Sequence, residues 1–147
     1  MAVRGKPNLL IVEDDERLRY LVGVAAERSA RFGTIAAVGD GQAAVDFIWR
    51  ALRMDHDLAP DFVLSDLSMP RLDGLGLIRA LKQHDETKLI PVAIMTSSNQ
   101  PNDREDALAA GCSAFFYKPQ RLDEFTAIIS SLPEVSTAAN ATRSHAQ

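Results

Sequence analysis

The sequence predicts an α/β fold in which a five-stranded parallel sheet carries helices on both faces. Five short apolar runs alternate along the chain with five segments whose apolar residues recur at helical spacing. Each run is apolar at nearly every position, which is typical of strands buried on both faces. Crossovers between parallel strands are right-handed, so successive helices can cover both faces of such a sheet.

In the first half of the chain, apolar runs predict three strands, at residues 9–12, 34–38 and 62–64. The first run ends at Glu13 and Asp14 and the third is followed by Asp66, so acidic side chains follow two buried strands. Asp40 lies in a glycine-flanked turn and can cap the helix that follows it. The two helices between the strands have inward faces formed by Leu18, Leu21, Val22, Ala25 and Ser29, and by Ala44, Phe47, Ile48, Ala51 and Leu52.

The second half of the chain repeats this alternation. A loop with Pro70 and Gly74 precedes a third helix, and two further strands are predicted at residues 91–95 and 114–117. Between those strands a helix begins near Pro101 and ends at Gly111. The third and last helices have apolar faces formed by Leu77, Ile78 and Leu81, and by Leu122, Phe125, Ile128, Ile129 and Leu132.

Length and composition restrict the class of protein. A chain of 147 residues is expected to form one domain, which we place at residues 8–132, followed by a flexible C-terminal tail at 133–147. The net charge of −4 disfavours binding to nucleic acid. The single cysteine, Cys112, rules out an intramolecular disulfide and a thiolate zinc site and favours a cytoplasmic protein. The N-terminal apolar run is too short for a signal peptide or a membrane span.

Chemically active side chains follow the ends of four strands. Because the carboxyl ends of parallel strands lie at one edge of a sheet, we expect these side chains to converge there. They are Glu13, Asp14, Asp66, Thr96 and Lys118. Neighbouring carboxylates repel one another unless a cation compensates, and oxygen ligands with open positions suit Mg²⁺. A metal, a lysine, a hydroxyl and an aspartate nucleophile are the parts that phosphoryl transfer requires.

Four sequence motifs carry a resemblance to a known family. In chain order they are LLIVEDD, DFVLSDLSMPRLDG, PVAIMTSS and FFYKP. With these motifs, residues 8–132 resemble the receiver domain of bacterial two-component response regulators, the family of the chemotaxis regulator. The resemblance implies a flavodoxin-like (βα)5 three-layer sandwich with strand order 2-1-3-4-5. It also implies a phosphoprotein of a phosphorelay and not an enzyme, since such a domain catalyses only its own phosphorylation and dephosphorylation.

The resemblance implies a role for each residue of the site. Asp66 would accept a phosphoryl group from a sensor histidine kinase, with Mg²⁺ as the cofactor. The metal ligands would be Glu13, Asp14, Asp66 and the backbone carbonyl of Ser68. Thr96 would move to bind a phosphoryl oxygen, and Lys118 would pair with the same group. The peptide bond before Pro119 is expected to be cis.

Further residues would govern the switch and its duration. By the same resemblance, Phe115 is the aromatic residue that reorients together with Thr96. Ser68 and Ser98 occupy positions that tune the phosphoryl lifetime in this family. The hydroxymethyl group of Ser97 would narrow access to the phosphoryl group.

The expected output is a contact with another protein. About 132 ordered residues leave no room for a DNA-binding module, which predicts a single-domain regulator with no nucleic-acid or membrane partner. Residues 53–61 and the stretch GDGQAAVDFI are similar to single-domain regulators that partner bacterial phytochromes, which favours a bacteriophytochrome as the kinase. That similarity also implies a homodimer, through the face formed by the fourth helix, the fifth strand and the fifth helix.

Three other functions remain open from the sequence. The first is a protein-interaction module that works without phosphorylation. The second is an aspartate-nucleophile phosphatase of the haloacid dehalogenase type, but that class uses Asp-x-Asp and this chain has Asp66-Leu67-Ser68, without the second acid. The third is a flavodoxin-like FMN carrier, whose first loop should be rich in Ser, Thr and Gly to hold phosphate. Residues 13–16 are all acidic here and would repel it.

Overall fold

The computed structural model describes residues 5–132, which form five strands, five α-helices and one 3₁₀ turn at His56–Leu58. The strands are β1 (Leu9–Val12), β2 (Ile35–Val38), β3 (Phe62–Ser65), β4 (Val92–Thr96) and β5 (Ala114–Tyr117). The helices are α1 (Glu16–Ser29), α2 (Gly41–Met54), α3 (Gly74–Lys82), α4 (Asp103–Ala110) and α5 (Leu122–Ser131).

The strands form one parallel sheet in the order β2-β1-β3-β4-β5, which confirms the predicted fold class. β1 lies between β2 and β3, with Val12 opposite both Val38 and Ser65. At the other side of the sheet, Thr96 lies opposite Tyr117. Because all five strands run in the same direction, the residues that follow them emerge at one edge.

The side chains of β1 show why helices cover both faces of the sheet. All four are buried and alternate between the two faces. Leu10 and Val12 pack in a cluster with residues of α2, α3 and α4, whereas Leu9 and Ile11 pack with residues of α1 and α5. Three helices therefore cover one face and two cover the other, which is the three-layer arrangement.

The helix ends follow signals that are visible in the sequence. Asp15 caps α1 by accepting hydrogen bonds from two backbone amides of its first turn. Asp40 caps α2 by accepting one from the amide of Ala43. Helix α4 ends at Gly111, whose φ of 108° lies in the left-handed region that favours glycine.

The structure differs from the sequence expectations in small ways. β2 begins at Ile35 and not one residue earlier, and β4 begins at Val92 and not at Pro91. β3 and β4 each end one residue later than predicted, because Ser65 and Thr96 still pair with neighbouring strands. The described residues contain no cis peptide bond, so the prediction of a cis bond before Pro119 is wrong. Lys118 reaches its ion-pair partners with the trans bond, so its position does not require the cis form.

Two further expectations concern the C-terminal tail and the absence of a membrane span. The predicted tail at 133–147 lies outside the described residues, and the domain limits of 8–132 therefore stay a prediction. Within the described part of the chain, no helix is both long enough and apolar enough to cross a membrane.

Candidate functional site

Strand pairing brings Glu13 and Asp66 together. They directly follow β1 and β3, and the amide of Asp66 donates a 2.9 Å hydrogen bond to the carbonyl of Val12. Glu13 and Asp66 are 3% and 8% exposed, whereas Asp14 is exposed to solvent. Two buried acids and one accessible acid therefore stand at the carboxyl edge of the sheet.

These acids form a group that fits a divalent cation. One carboxylate oxygen from each of Glu13, Asp14 and Asp66 lies within 4.8 Å of the other two. Carboxylate oxygens are hard ligands, and the exposure of Asp14 leaves room for water or a phosphoryl oxygen to complete the shell. The donor set therefore suits Mg²⁺. Ser68, whose backbone carbonyl is the remaining predicted ligand, is exposed in the loop after Asp66.

Lys118 supplies a positive charge inside this acidic group. Its Nζ lies 2.8 Å from Glu13 Oε1 and 3.1 Å from Asp66 Oδ2. Burial raises the pKa of Glu13, and the hydrogen bond with Lys118 offsets only part of that effect. Burial lowers the pKa of Lys118, but the hydrogen bond with Glu13 and the charge of Asp66 outweigh it, so that pKa is raised. Lys118 is thus held as a cation against the two acids.

The Asp66 carboxylate is oriented by a donor on each oxygen. The amide of Leu67 donates a 2.7 Å hydrogen bond to Oδ1, and Lys118 contacts Oδ2. An open cleft lined in part by Ser97 and Gln120 leads to this carboxylate. An aspartate that is fixed beside a cation site and open to a cleft can attack an electrophilic phosphorus.

Thr96 and Phe115, predicted to move together, lie on neighbouring strands. Thr96 is buried, and its Oγ1 accepts a 3.0 Å hydrogen bond from the amide of Ser98. Its carbonyl accepts a 2.8 Å bond from the amide of Lys118. Phe115 is buried, with its ring edge-on to Tyr117 at 5.5 Å between centroids. Thr96 is therefore tied through the backbone to the residue that neutralises Asp66.

The serines predicted to tune the phosphoryl lifetime lie in loops at the same edge. Ser97 lines the cleft, and Ser68 is exposed. Ser98 is half-buried, and its hydroxyl donates a short hydrogen bond to Asp103 at the start of α4. The hydroxyl of Ser98 is therefore engaged by a side chain of α4.

Sequence reasoning missed two side-chain pairs near the site. One is the contact of Ser98 with Asp103, and the other is an ion pair between Arg71 and the buried Asp40, with Nη2 at 2.6 Å and Nε at 3.0 Å from Oδ2. Asp40 and Arg71 are 31 residues apart, and the turn motif identified Asp40 only as a helix cap. The hydrogen bond from the amide of Ala43, together with Arg71, lowers the pKa of Asp40.

The chain matches a family model over residues 9–130, that of the response regulator receiver domain. Among curated proteins, it is 32% identical to the response regulator Rre1 of Synechocystis sp. over 125 residues, which are 85% of this chain and 51% of that protein. The chain spans about half the length of most of the curated relatives that it matches.

Two solved structures share the fold of this chain. Response regulator RPA3017 in red light signaling of R. palustris is 26% identical, with a TM-score of 0.75 and coverage of 90% of this chain and 95% of that one. Bacteriophytochrome response regulator RtBRR is 27% identical, with a TM-score of 0.70 and coverage of 96% and 90%. The family match includes all five strands and extends beyond Lys118. The chain belongs to the response regulator receiver domain family.

Proposed function

We propose that this chain is a single-domain response regulator that accepts a phosphoryl group on Asp66 from a sensor histidine kinase and signals through protein contacts. The observation that carries the proposal is the buried Asp66 carboxylate, placed beside Glu13 and Lys118 at the edge of the sheet. The proposed acceptor, the proposed cation site and a positive charge would lie together there, as phosphoryl transfer requires. Membership of the receiver family supports the same role.

The proposed transfer forms one bond and breaks another. A carboxylate oxygen of Asp66 attacks the phosphorus of a phosphohistidine on the kinase, which forms the P–O bond of an aspartyl phosphate. The P–N bond breaks, and the imidazole nitrogen keeps that electron pair and takes up a proton. Hydrolysis of the aspartyl phosphate later releases inorganic phosphate and restores the carboxylate.

The new phosphoryl group carries about −1.5 to −2 charges where the Asp66 carboxylate carried one, and this site must neutralise them. Glu13, Asp14, Asp66 and the backbone carbonyl of Ser68 would hold Mg²⁺, which supplies positive charge next to the phosphoryl oxygens. Lys118 would exchange its contact with Asp66 for one with the phosphoryl group. Thr96 would donate a hydrogen bond from its hydroxyl to a further phosphoryl oxygen.

The movement of Thr96 would connect the site with a distant surface. Its Oγ1 accepts a bond from Ser98 in this structure, and turning toward the phosphoryl group ends that contact. Phe115 would reorient with it and change the face formed by α4, β5 and α5. Leu108 and Tyr117 are exposed in α4 and β5, and we propose this face for the homodimer and for the downstream target.

The proposed lifetime of the phosphoryl group depends on three serines. Ser97 lines the cleft and narrows the approach of water, while Ser68 and Ser98 flank it in the two loops. Because Asp103 holds the hydroxyl of Ser98, that hydroxyl is not free to orient an attacking water. The contact therefore favours a longer lifetime.

The likeness to RPA3017 and RtBRR supports a bacteriophytochrome as the kinase. The first is a response regulator in red light signaling and the second a bacteriophytochrome response regulator. The present chain covers 95% and 90% of those chains, which supports a single-domain regulator of the same kind. We place it in the cytoplasm, without a nucleic-acid or membrane partner, in keeping with its net charge of −4.

Intact-mass spectrometry after incubation with acetyl phosphate and Mg²⁺ tests the proposal. We expect one phosphoryl adduct on the wild type, which disappears with EDTA and in Asp66→Asn. Asp85→Asn changes an exposed aspartate away from the sheet edge and serves as the matched control, which should keep the adduct.

Three outcomes would contradict this assignment. Undiminished labelling of Asp66→Asn would place the acceptor elsewhere. If the wild type gave no adduct and beryllofluoride did not change its amide NMR spectrum, the phosphorylation-independent interaction module would be favoured. Turnover of a small phosphate ester would instead favour the phosphatase.

A further inference from the structure

The turn before α2 contacts two segments of the acidic site: the one that carries Glu13 and the one that follows Asp66. At its start, the carbonyl of Val38 accepts a 3.1 Å hydrogen bond from the amide of Glu13. At its end, the amide of Gly41 donates a 3.0 Å bond to the carbonyl of Leu72. Leu72 belongs to the segment 67–73, which we call the acceptor loop because it follows Asp66. The turn therefore extends from a contact with Glu13 to a contact with the acceptor loop.

Backbone contacts hold the acceptor loop closely at both ends. A Cβ atom on Gly41 would lie 2.2 Å from the carbonyl oxygen of Leu72, so this approach requires glycine. At the α3 end, the amide of Gly74 donates a 2.8 Å hydrogen bond to the carbonyl of Leu67. Within the loop, the amide of Leu72 also donates a 2.8 Å hydrogen bond to the carbonyl of Pro70, and side chains supply further contacts.

Arg71 supplies an ion pair to the acceptor loop, in addition to the packing of Leu67 and Met69 in the core. Its guanidinium binds Oδ2 of Asp40 through Nη2 at 2.6 Å and Nε at 3.0 Å. The side chain of Asp40 is 5% exposed, and its Oδ1 accepts a hydrogen bond from the amide of Ala43 at the start of α2. Arg71 has φ of 67°, which a residue other than glycine adopts only at an energetic cost. Both donors of Arg71, whose own side chain is 74% exposed, meet one oxygen of that buried carboxylate.

We propose that the Asp40–Arg71 pair is a brace that fixes the acceptor loop and thereby raises the affinity of the acidic site for Mg²⁺. Ser68, three residues before Arg71, is the loop residue whose carbonyl we assign to the metal. Mg²⁺ demands near-ideal octahedral geometry, so a displaced ligand weakens its binding. Arg71 is a positioning residue, because it acts through the loop. The inference rests on the proposed metal site.

Coulomb interactions alone predict different effects of substitutions at Arg71 and Asp40 on Mg²⁺ binding from those that a brace predicts. Removal of the positive charge of Arg71 near an acidic site would strengthen the binding of a cation, and removal of the negative charge of Asp40 would weaken it. A brace requires that both substitutions weaken binding, because each one breaks the same pair. The signs of the two effects therefore separate the explanations.

Isothermal titration calorimetry with MgCl₂ measures these effects in Arg71→Asn, Asp40→Asn and the double variant. Asparagine tolerates the left-handed conformation at position 71, and at position 40 it keeps an oxygen that can cap α2. We expect the Kd for Mg²⁺ to rise about tenfold in each single variant and no further in the double variant. Arg79→Gln removes an exposed charge of α3 as the matched control and should not weaken binding.

Further variants and outcomes keep the inference open to refutation. Arg71→Lys keeps the charge but not the contact through two donors, and it should also weaken Mg²⁺ binding. It replaces Arg71→Asn if thermal unfolding shows that Arg71→Asn does not fold. Unchanged or tighter binding by a folded Arg71→Asn, or additive losses in the double variant, would overturn the brace while the adduct on Asp66 remained. If the wild type formed the adduct but bound no Mg²⁺, the metal site and the brace would both be wrong.

Discussion

Among single residues, Lys118 stabilises the site most, because it lies between two buried carboxylates. Without its ammonium group, the carboxylates of Glu13 and Asp66 would face each other uncompensated. We expect Lys118→Met to lower the free energy of unfolding by about 3 kcal/mol in the absence of metal. Mg²⁺ should then stabilise the variant more than it stabilises the wild type, because it replaces the missing charge. Urea unfolding with and without Mg²⁺ measures both effects.

The control for that variant is an exposed lysine that also forms an ion pair. Lys88 contacts Asp85 at 2.9 Å on the surface, and we expect Lys88→Met to change the unfolding free energy by at most about 0.5 kcal/mol. Equal stability of Lys118→Met and the wild type without metal would mean that the two acids do not depend on the lysine.

Asp40 makes the stability of the protein depend on pH in the acidic range. The hydrogen bond from the amide of Ala43, together with Arg71, lowers its pKa below the ordinary value of 3.8. The resulting stabilisation is therefore present above pH 3.8 and is lost as the pH falls through the lower folded-state pKa. We expect the difference in unfolding free energy between the wild type and Asp40→Asn to shrink as the pH falls from about 6 to about 3. Urea unfolding over this range measures the difference, and a constant value would contradict the assignment.

At the level of elements, burial on both faces makes a strand visible in the sequence. β1, β3 and β4 leave continuous apolar runs, because every side chain in them is buried. The ends are a separate matter: the bounds of the edge strand β2 and of the buried β3 and β4 each differ by one residue from the prediction, whereas those of the other edge strand, β5, agree with it. The 3₁₀ turn at His56–Leu58 has no buried residue and leaves no such pattern. Burial therefore helps to reveal an element in the sequence, whereas its exact ends depend on pairing with neighbouring strands.

The same reasoning explains how much of the site could be predicted. Residues that directly follow strands, such as Glu13 and Asp66, converge because the sheet is parallel. The pairs Asp40–Arg71 and Ser98–Asp103 depend on how loops approach helix N-termini, and neither the apolar pattern nor the spacing records that approach. The position of Lys118 between two acids, before any phosphoryl group is present, likewise needed the folded geometry.

Helix α4 has the smallest contact with the core among the five helices described. Ala107 is its one buried residue, whereas α2 and α3 each bury four. At the start of α4, Asp103 accepts a hydrogen bond from the hydroxyl of Ser98, which links the helix to the loop after β4. We expect the amides of α4 to exchange faster than those of α2 and α3, and Asp103→Ala to accelerate that exchange further. Hydrogen–deuterium exchange with mass spectrometry measures both rates.

A matched variant in the same turn separates that contact from the effect of charge. Glu105 also carries a negative charge in the first turn of α4, where it interacts favourably with the helix dipole. Glu105→Ala should therefore change the exchange of α4 less than Asp103→Ala. Equal acceleration by the two variants would assign the effect to charge and not to the contact with Ser98.

In the whole molecule, the site and the proposed output face are joined by the last two strands. Thr96 and Lys118 are linked by a backbone hydrogen bond at the carboxyl edge, where β4 and β5 end. β5 is also an edge strand, and its Phe115 and Phe116 pack in the clusters that contain residues of α4 and α5, respectively. A rearrangement at Thr96 therefore has a short path to a surface that a second chain can reach.

That surface is the place to test the oligomeric state. Leu108 and Tyr117 are 50% and 55% exposed on it, and apolar side chains of this kind are buried when two copies associate. We expect light scattering to show a homodimer at micromolar concentration and Leu108→Glu to convert it to a monomer, because a buried charge opposes association. Met54→Glu changes an exposed apolar residue at the end of α2, away from this face, and should leave the dimer intact. A monomeric wild type, both with and without acetyl phosphate, would contradict the dimer and would weaken the case for a bacteriophytochrome partner, since both rest on the same resemblance.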